Sequence, residues 1–297
     1  MKTADIFTDD SGRGWVPWAL VTPFLGIFLV VAPSLPISLE LQRMGLLDAH
    51  EEPVGRSGMI ALLLVVFGAM GAAVLAWTLL VERRALASIG MVHDGAGRDF
   101  GIGLLIGGIT SGGIVAGIWA AGGYEVAAIS PASASPDMLI YSGVLLACFV
   151  IQAGAEEILF RGWMMSALAR RINVLGAVII VSIVFTLLHF GRDSTALTIF
   201  TTFLFSTFAC LWALLTRNIW GVMGWHAGWN WLLGTGFELP ITGLDLQVTA
   251  LLVRLVPSGP LQLTGGAEGP EGSVVCGVFF VAANLFLVAR IVMTKRF

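Results

Sequence analysis

Charge is what this sequence has least of. Only 12% of its 297 residues are Asp, Glu, Lys or Arg, about half the share usual in soluble chains. Sixteen Lys and Arg with nineteen Asp and Glu cannot give a chain of this length a polar skin. With 57% hydrophobic residues and a mean hydropathy of +0.90, a soluble globular enzyme and a disordered chain are both excluded. Cysteine is scarce too. Cys148, Cys210 and Cys276 each sit in an apolar run, an odd and scattered set that makes neither a disulfide framework nor a CxxC pair. A net charge of −3 leaves no basic excess for nucleic acid. Tyrosine occurs twice and tryptophan ten times, a balance that suits a membrane protein.

What is abundant is apolar runs. A bilayer core of about 30 Å takes about 20 helical residues, and eight runs are candidates: 15–35, 58–81, 100–122, 138–169, 174–190, 195–215, 219–236 and 273–293. Open sheets cannot span lipid, and the runs lack barrel alternation, so they are read as helices. The fold class expected is all-α: a polytopic membrane protein of about eight transmembrane helices. The opening MKTADIFTDDSGRG mixes acids with two cations, and the proline-bearing run after it is too long for a signal segment. It is read as an uncleaved first helix.

Eight spans put both termini on one side. That side then carries Lys2, Arg13, Arg83, Arg84, Arg98, Arg170, Arg171, Arg217, Arg290, Lys295 and Arg296, against Arg43, Arg56, Arg192 and Arg254 on the other. The positive-inside rule makes the richer side, with both termini, cytoplasmic. Charges near span ends are read as solvated loop residues. The 124–137 loop has no Lys or Arg, and the 237–272 loop holds turn clusters around VTALLVRLV. That stretch is too short to span. It is either an interfacial or re-entrant piece or part of a structured extracytoplasmic loop. In the third run Gly103/Gly107, Gly108/Gly112 and Gly113/Gly117 have GxxxG spacing, which permits close helix packing.

Ionisable groups at membrane depth are costly and usually functional, and three clusters qualify. In EEILFR, Glu156 and Glu157 point about 100° apart on a helix. Glu157 and Arg161 are four residues apart with the acid first, the favourable order for an ion pair. Glu156 is left on another face with Gln152 one turn before it, placed to move a proton or bind a cation. The second cluster is FTLLH, ending at His189, which is either a hydrogen-bonded packing residue or a ligand. The third is WHAGWNW, in which His226 and Asn230 share a face and Gly224 and Gly228 leave room for a helix or a substrate backbone. Its tryptophans also fit an interfacial belt. Depth lets the three meet. At 1.5 Å per residue, Glu156 lies roughly 21 Å from Arg170, His189 roughly 24 Å from Asn173, and His226 and Asn230 roughly 13 and 20 Å from Arg217. The active site is expected in a membrane-embedded cavity.

Taken together, EEILFR, FTLLH and HAGWN resemble the motifs EExxxR, FxxxH and HxxxN of the CPBP intramembrane proteases. That family includes type II CAAX prenyl endopeptidases, the lysostaphin resistance protein A group and bacteriocin-immunity members. The resemblance covers about residues 140–235, and LTGGAEGPEGS after the seventh helix is similar to a stretch in bacterial members. It implies three parts: N-terminal transmembrane helices over 1–135, a catalytic core over 136–240, and an extracytoplasmic loop with the last helix over 241–297. It further implies an intramembrane endopeptidase acting on a membrane-associated peptide or protein in the lipid bilayer, in a prokaryotic cytoplasmic membrane. Glu156 corresponds to the catalytic glutamate, His189 and His226 to the essential histidines, and Asn230 to the closing polar residue. Glu157 and Arg161 are supporting, so Glu157→Gln is expected to cost stability more than chemistry.

Two mechanisms stay open at this level. Glu156 activates water directly, with His189 holding it and His226 and Asn230 donating to the oxyanion. Alternatively Glu156, His189 and His226 bind a zinc whose water attacks. There is no HExxH, so a helix-borne zincin site is absent. The cofactor expectation is therefore none or zinc. Rival readings are a non-catalytic scaffold or immunity protein that binds a partner, and a proton-coupled transporter, for which the sequence shows no internal repeat.

Overall fold

A computed structural model describes residues 6–8, 13–191 and 194–294. Lys2, Arg192, Lys295 and Arg296 of the charge tally lie outside the described residues. All eight apolar runs are helical. They form α1 (Thr22–Arg43), α2 (Gly55–Val81), α3 (Ala96–Ala120), α4 (Pro136–Arg171), α5 (Val174–Leu188), α6 (Ala196–Thr216), α7 (Trp220–Trp231, continued by a π-helical turn over Leu232–Gly236) and α8 (Val274–Met293). Among the described residues six helices are long and apolar enough to cross a membrane. The other two are α5, with 15 residues, and α7. At 1.5 Å per residue α5 covers about 22 Å, less than a bilayer core. Among the described residues the eight expected helices thus divide into six long enough to span and two shorter ones, of which α7 is enclosed by protein.

The first helix begins seven residues later than its apolar run and continues to Arg43. Pro23 explains the start, because a proline in the first turn lacks only an N–H that would be unpaired anyway. Pro33 and Pro36 lie inside the helix without ending it.

The bundle is organised around α4 and α7. Every residue from Gly221 to Asn230 is buried, so α7 meets protein on all sides and has no need of bilayer length. Its closest neighbour is α3, and the reason is glycine on both helices. A Cβ on Gly103 would sit 1.9 Å from the Gly221 carbonyl oxygen, and one on Gly107 would sit 2.1 Å from that of Trp225. From the other side, a Cβ on Gly224 would meet the Phe100 oxygen at 2.0 Å and one on Gly228 the Leu104 oxygen at 2.2 Å. The two backbones touch, as small-residue pairs allow. Of the three GxxxG pairs on α3, only the first makes this contact; Gly113 faces open space.

The tryptophans of α7 are not an interfacial belt. Trp225 and Trp229 are fully buried against Phe205, Phe208 and Phe280. Their indole N–H groups donate to Thr110 Oγ1 and Glu271 Oε1, which is what lets an indole lie in a core.

At the end of the bundle where α4 begins, β1 (Tyr124–Ile129) pairs antiparallel with β2 (Val253–Pro257), with Tyr124 opposite Pro257 and a bulge between Val126 and Ala128. The VTALLVRLV stretch also receives Ser130 and Ala132 N–H groups on its Leu252 and Ala250 carbonyls, and its own Leu251 N–H reaches the Thr235 carbonyl. It is therefore part of a structured loop. The Tyr124 hydroxyl donates to the Thr264 carbonyl, and burial pushes its ionisation well above the ordinary tyrosine range.

One reading of charge is corrected at the other end. Glu82 and Arg84 are not solvated loop residues: both side chains are fully buried, 2.9 Å apart. Trp77 and Trp163 indoles donate to Glu82, and Arg84 also reaches Ser88 and Ser166. Every charge there has a partner, which is the condition for burying it.

Because the α3–α7 contact has no room for a methyl group, Gly107→Ala should destabilise the protein by about 1–3 kcal/mol. Gly113→Ala should leave it unchanged. Thermal unfolding in detergent checks this, and equal midpoints for the two variants would contradict it.

Candidate active site inside the helix bundle

The site is built on a change of helix type. α4 is α-helical to Glu157 and π-helical over Ile158–Met164 before it resumes. π-turns of this kind are frequent at functional sites, because the extra residue re-aims the side chains around it. Here the change falls within EEILFR.

Glu156 points into a cavity of about 560 Å³ that Gln152, His189, His226 and Asn230 also line. Its Oε2 lies 4.0 Å from His189 Nε2 and 3.8 Å from His226 Nε2. That oxygen is buried and makes no hydrogen bond to protein. Both imidazoles are oriented through their other nitrogen. His189 Nδ1 is 2.8 Å from the Phe185 carbonyl and donates to it. His226 Nδ1 donates to Glu157 Oε1 at 2.9 Å. In each neutral ring the proton then sits on Nδ1, and the Nε2 lone pair faces Glu156.

Glu157 carries more than the expected pair. Its Oε1 accepts Arg161 NH1 at 2.9 Å as well as His226, and both Glu157 and Arg161 have no solvent exposure. The i,i+4 spacing foretold the first contact. The second joins α4 to α7 and has no signal in spacing. Besides the expected pair with Arg161, its carboxylate holds the ring of His226.

Aromatic rings hold the rest. Phe185 stacks on His189 with centroids 4.1 Å apart, and the Arg161 guanidinium lies 4.5 Å over the Phe185 ring. The first residue of FxxxH is thus a platform between a buried cation and a site histidine. Phe205 packs edge-on to His226 at 5.0 Å. Asn230 Nδ2 donates to Gln152 Oε1 at 3.0 Å, which leaves its second N–H free to point at a ligand.

The structure thus brings Glu156, His189 and His226 together, sets Asn230 one turn along the same wall, and places Glu157 and Arg161 behind. Glu271 also lines the cavity, and sequence reasoning passed over it. Its carboxylate accepts from Trp229 Nε1 and from Thr242 N and Oγ1, fastening the long loop to α7. One acid in a Gly-Pro turn cluster carries no pattern by which to find it.

The donors fit zinc in type but not in placement. Among the described residues no three His, Cys, Asp or Glu side chains come together closely enough to hold a metal ion.

Fold and site together define a multi-pass helical membrane protein with a carboxylate–imidazole centre inside its bundle. Within that class, residues 139–232 match the family model of the type II CAAX prenyl endopeptidase, Rce1-like. The matched region, about a third of the chain, holds all three motifs and bears out the resemblance to the CPBP proteases. It supports a CAAX-type intramembrane endopeptidase in general terms. No curated protein and no solved structure matches the chain.

Glu157→Gln should lose about 3–5 kcal/mol, the usual cost of leaving a buried charge such as Arg161 unpaired. It should also lose activity in the folded fraction, because an amide oxygen holds the His226 ring less firmly. Thermal midpoint and turnover per folded molecule, measured on one preparation, test both. Full turnover per folded molecule would return Glu157 to a purely structural role.

Proposed function

We propose that the protein hydrolyses an internal peptide bond of a membrane-associated peptide, with Glu156 as general base. The observation that carries this is Glu156 Oε2, buried in the cavity wall without a hydrogen-bond partner in the protein and 3.8 and 4.0 Å from the Nε2 atoms of His226 and His189. A water hydrogen-bonded to Glu156 Oε2, at about 2.8 Å, lies in the cavity that both imidazoles line. Glu156 takes one of its protons while the water oxygen bonds to the scissile carbonyl carbon. The C–N bond then breaks, and the proton passes from Glu156 to the leaving amine. The products are a carboxylate and an amine.

The histidines hold the water. His226 Nδ1–H is engaged by Glu157, so in the neutral ring His226 accepts at Nε2. Oxyanion donation therefore falls to the free N–H of Asn230, which Gln152 keeps in place. Lacking a closed ligand set, no step in this scheme passes through zinc.

The wider setting belongs to the same reading. The cytoplasm lies at the end bearing Arg83, Arg98, Arg170, Arg171, Arg217 and Arg290. Both termini are there, in a prokaryotic cytoplasmic membrane, and the cavity opens toward the opposite face. The catalytic core spans 136–240, within which the family match falls.

Peptide termini in membranes of cells expressing the wild type or Glu156→Ala at matched levels test the reaction. New termini that depend on Glu156 are expected, and the purified wild type should reproduce the cleavage in the presence of chelators. Identical termini with both proteins folded would move the chain to a scaffold role. Stoichiometric zinc that is lost on substituting His189 or His226 would overturn the metal-free scheme.

A further inference from the structure

The cavity around Glu156 has an acidic wall. Glu51 and Glu271 line it together with Glu156, and among the described residues no lysine or arginine does. Among the described residues Glu271 is held by neutral donors, the Trp229 indole and Thr242, and pairs with no lysine or arginine. Glu156 Oε2 is more than nine-tenths buried, unpartnered by protein and aimed into the same space.

The surroundings reinforce this sign. The end of the bundle where the cavity opens carries Asp48, Glu51, Glu52, Glu125, Asp137 and Asp245. Backbone N–H groups of Glu52 and His50 hold Asp48 below the usual carboxylate range, so it stays charged. Of the described arginines at that end, two pair with acids outside the cavity and the third keeps its charge over an aromatic ring. Arg43 pairs with Glu40, Arg254 pairs with Glu238, and Arg56 lies over the Tyr141 ring. A cleft lined by one sign of charge between low-dielectric walls concentrates ligands of the other sign. The remaining walls are apolar. Val30 of α1 and Leu62, Leu63, Phe67 and Met70 of α2 form one continuous side.

Resting on the peptidase reading above, we infer that the site takes a peptide whose scissile bond lies between a cationic stretch, Lys or Arg, at the loop end and an apolar stretch along α1 and α2. Glu51 at the mouth selects for the cation. A free C-terminal carboxylate would meet three like charges in this cavity, so chain ends bearing one are disfavoured. The bond cut is internal.

The experiment uses the full chain in lipid nanodiscs and three synthetic peptides. They share one apolar stretch and differ only in a flanking tract of Lys, Gln or Glu. Cleavage should follow the order Lys, Gln, Glu, with kcat/KM differing about tenfold between the extremes, mainly through KM. Glu51→Gln and high salt should each narrow that ratio, salt by screening the exposed mouth. Equal kcat/KM across the three peptides, or a ratio that Glu51→Gln leaves unchanged, would overturn the inference while the peptidase reading stands. If the folded protein cleaves none of them, the peptidase reading fails. Binding then decides the inference: a Kd order of Lys, Gln, Glu upholds it, and equal Kd values overturn it.

Discussion

One buried carboxylate organises the centre of this protein. Glu157 lies beyond the reach of water and accepts from Arg161 on its own helix and from His226 on another. The guanidinium is its ion-pair partner, 2.9 Å away, in a place where a lone charge would be prohibitively costly. The same carboxylate accepts from His226 Nδ1, so that Nε2 looks toward Glu156. Two adjacent glutamates therefore do different work. A helix points neighbours in different directions, sending one into the cavity and the other into the packed interior.

That arrangement depends on where α7 sits, and α7 is placed by backbone contact with α3. In a membrane the hydrophobic effect does little to drive helices together, so close packing and hydrogen bonds must do it. Gly103 and Gly107 on α3 meet Gly224 and Gly228 on α7 with no space for a side chain between them. The same two glycines of α7 flank His226 in sequence. The positioning of the helix and the positioning of its histidine thus share one short segment. Tryptophans on the remaining faces fill the volume and find acceptors for their N–H groups.

Much of this was legible beforehand because lipid makes polar residues conspicuous. Glu156, Glu157, Arg161, His189, His226 and Asn230 stood out as costly groups inside apolar runs, and helical spacing alone paired Glu157 with Arg161. The helix order followed from hydropathy. Contacts between distant segments were not legible. The Glu157–His226 bond joins residues 69 apart. The pairing of β1 with β2 links segments that flank four helices. Local chemistry also misled. Glu82 and Arg84 are charged residues at a span end, and only their burial shows them to be a closed internal network. The tryptophans around His226 resemble an interfacial belt until α7 is seen to be enclosed. Pro23 set the start of α1 where hydropathy placed it earlier.

The most direct test of the shared carboxylate is a double-mutant comparison of Glu157→Gln, Arg161→Met and the two combined, reading thermal midpoint and turnover per folded molecule. Each single change leaves one buried polar partner stranded. Together they leave no unpaired charge, so the double variant should regain much of the midpoint lost by the single variants. Its turnover should stay low, because His226 no longer has a charged carboxylate to hold it. A double variant as unstable as the sum of the singles, or one with wild-type turnover, would contradict the account.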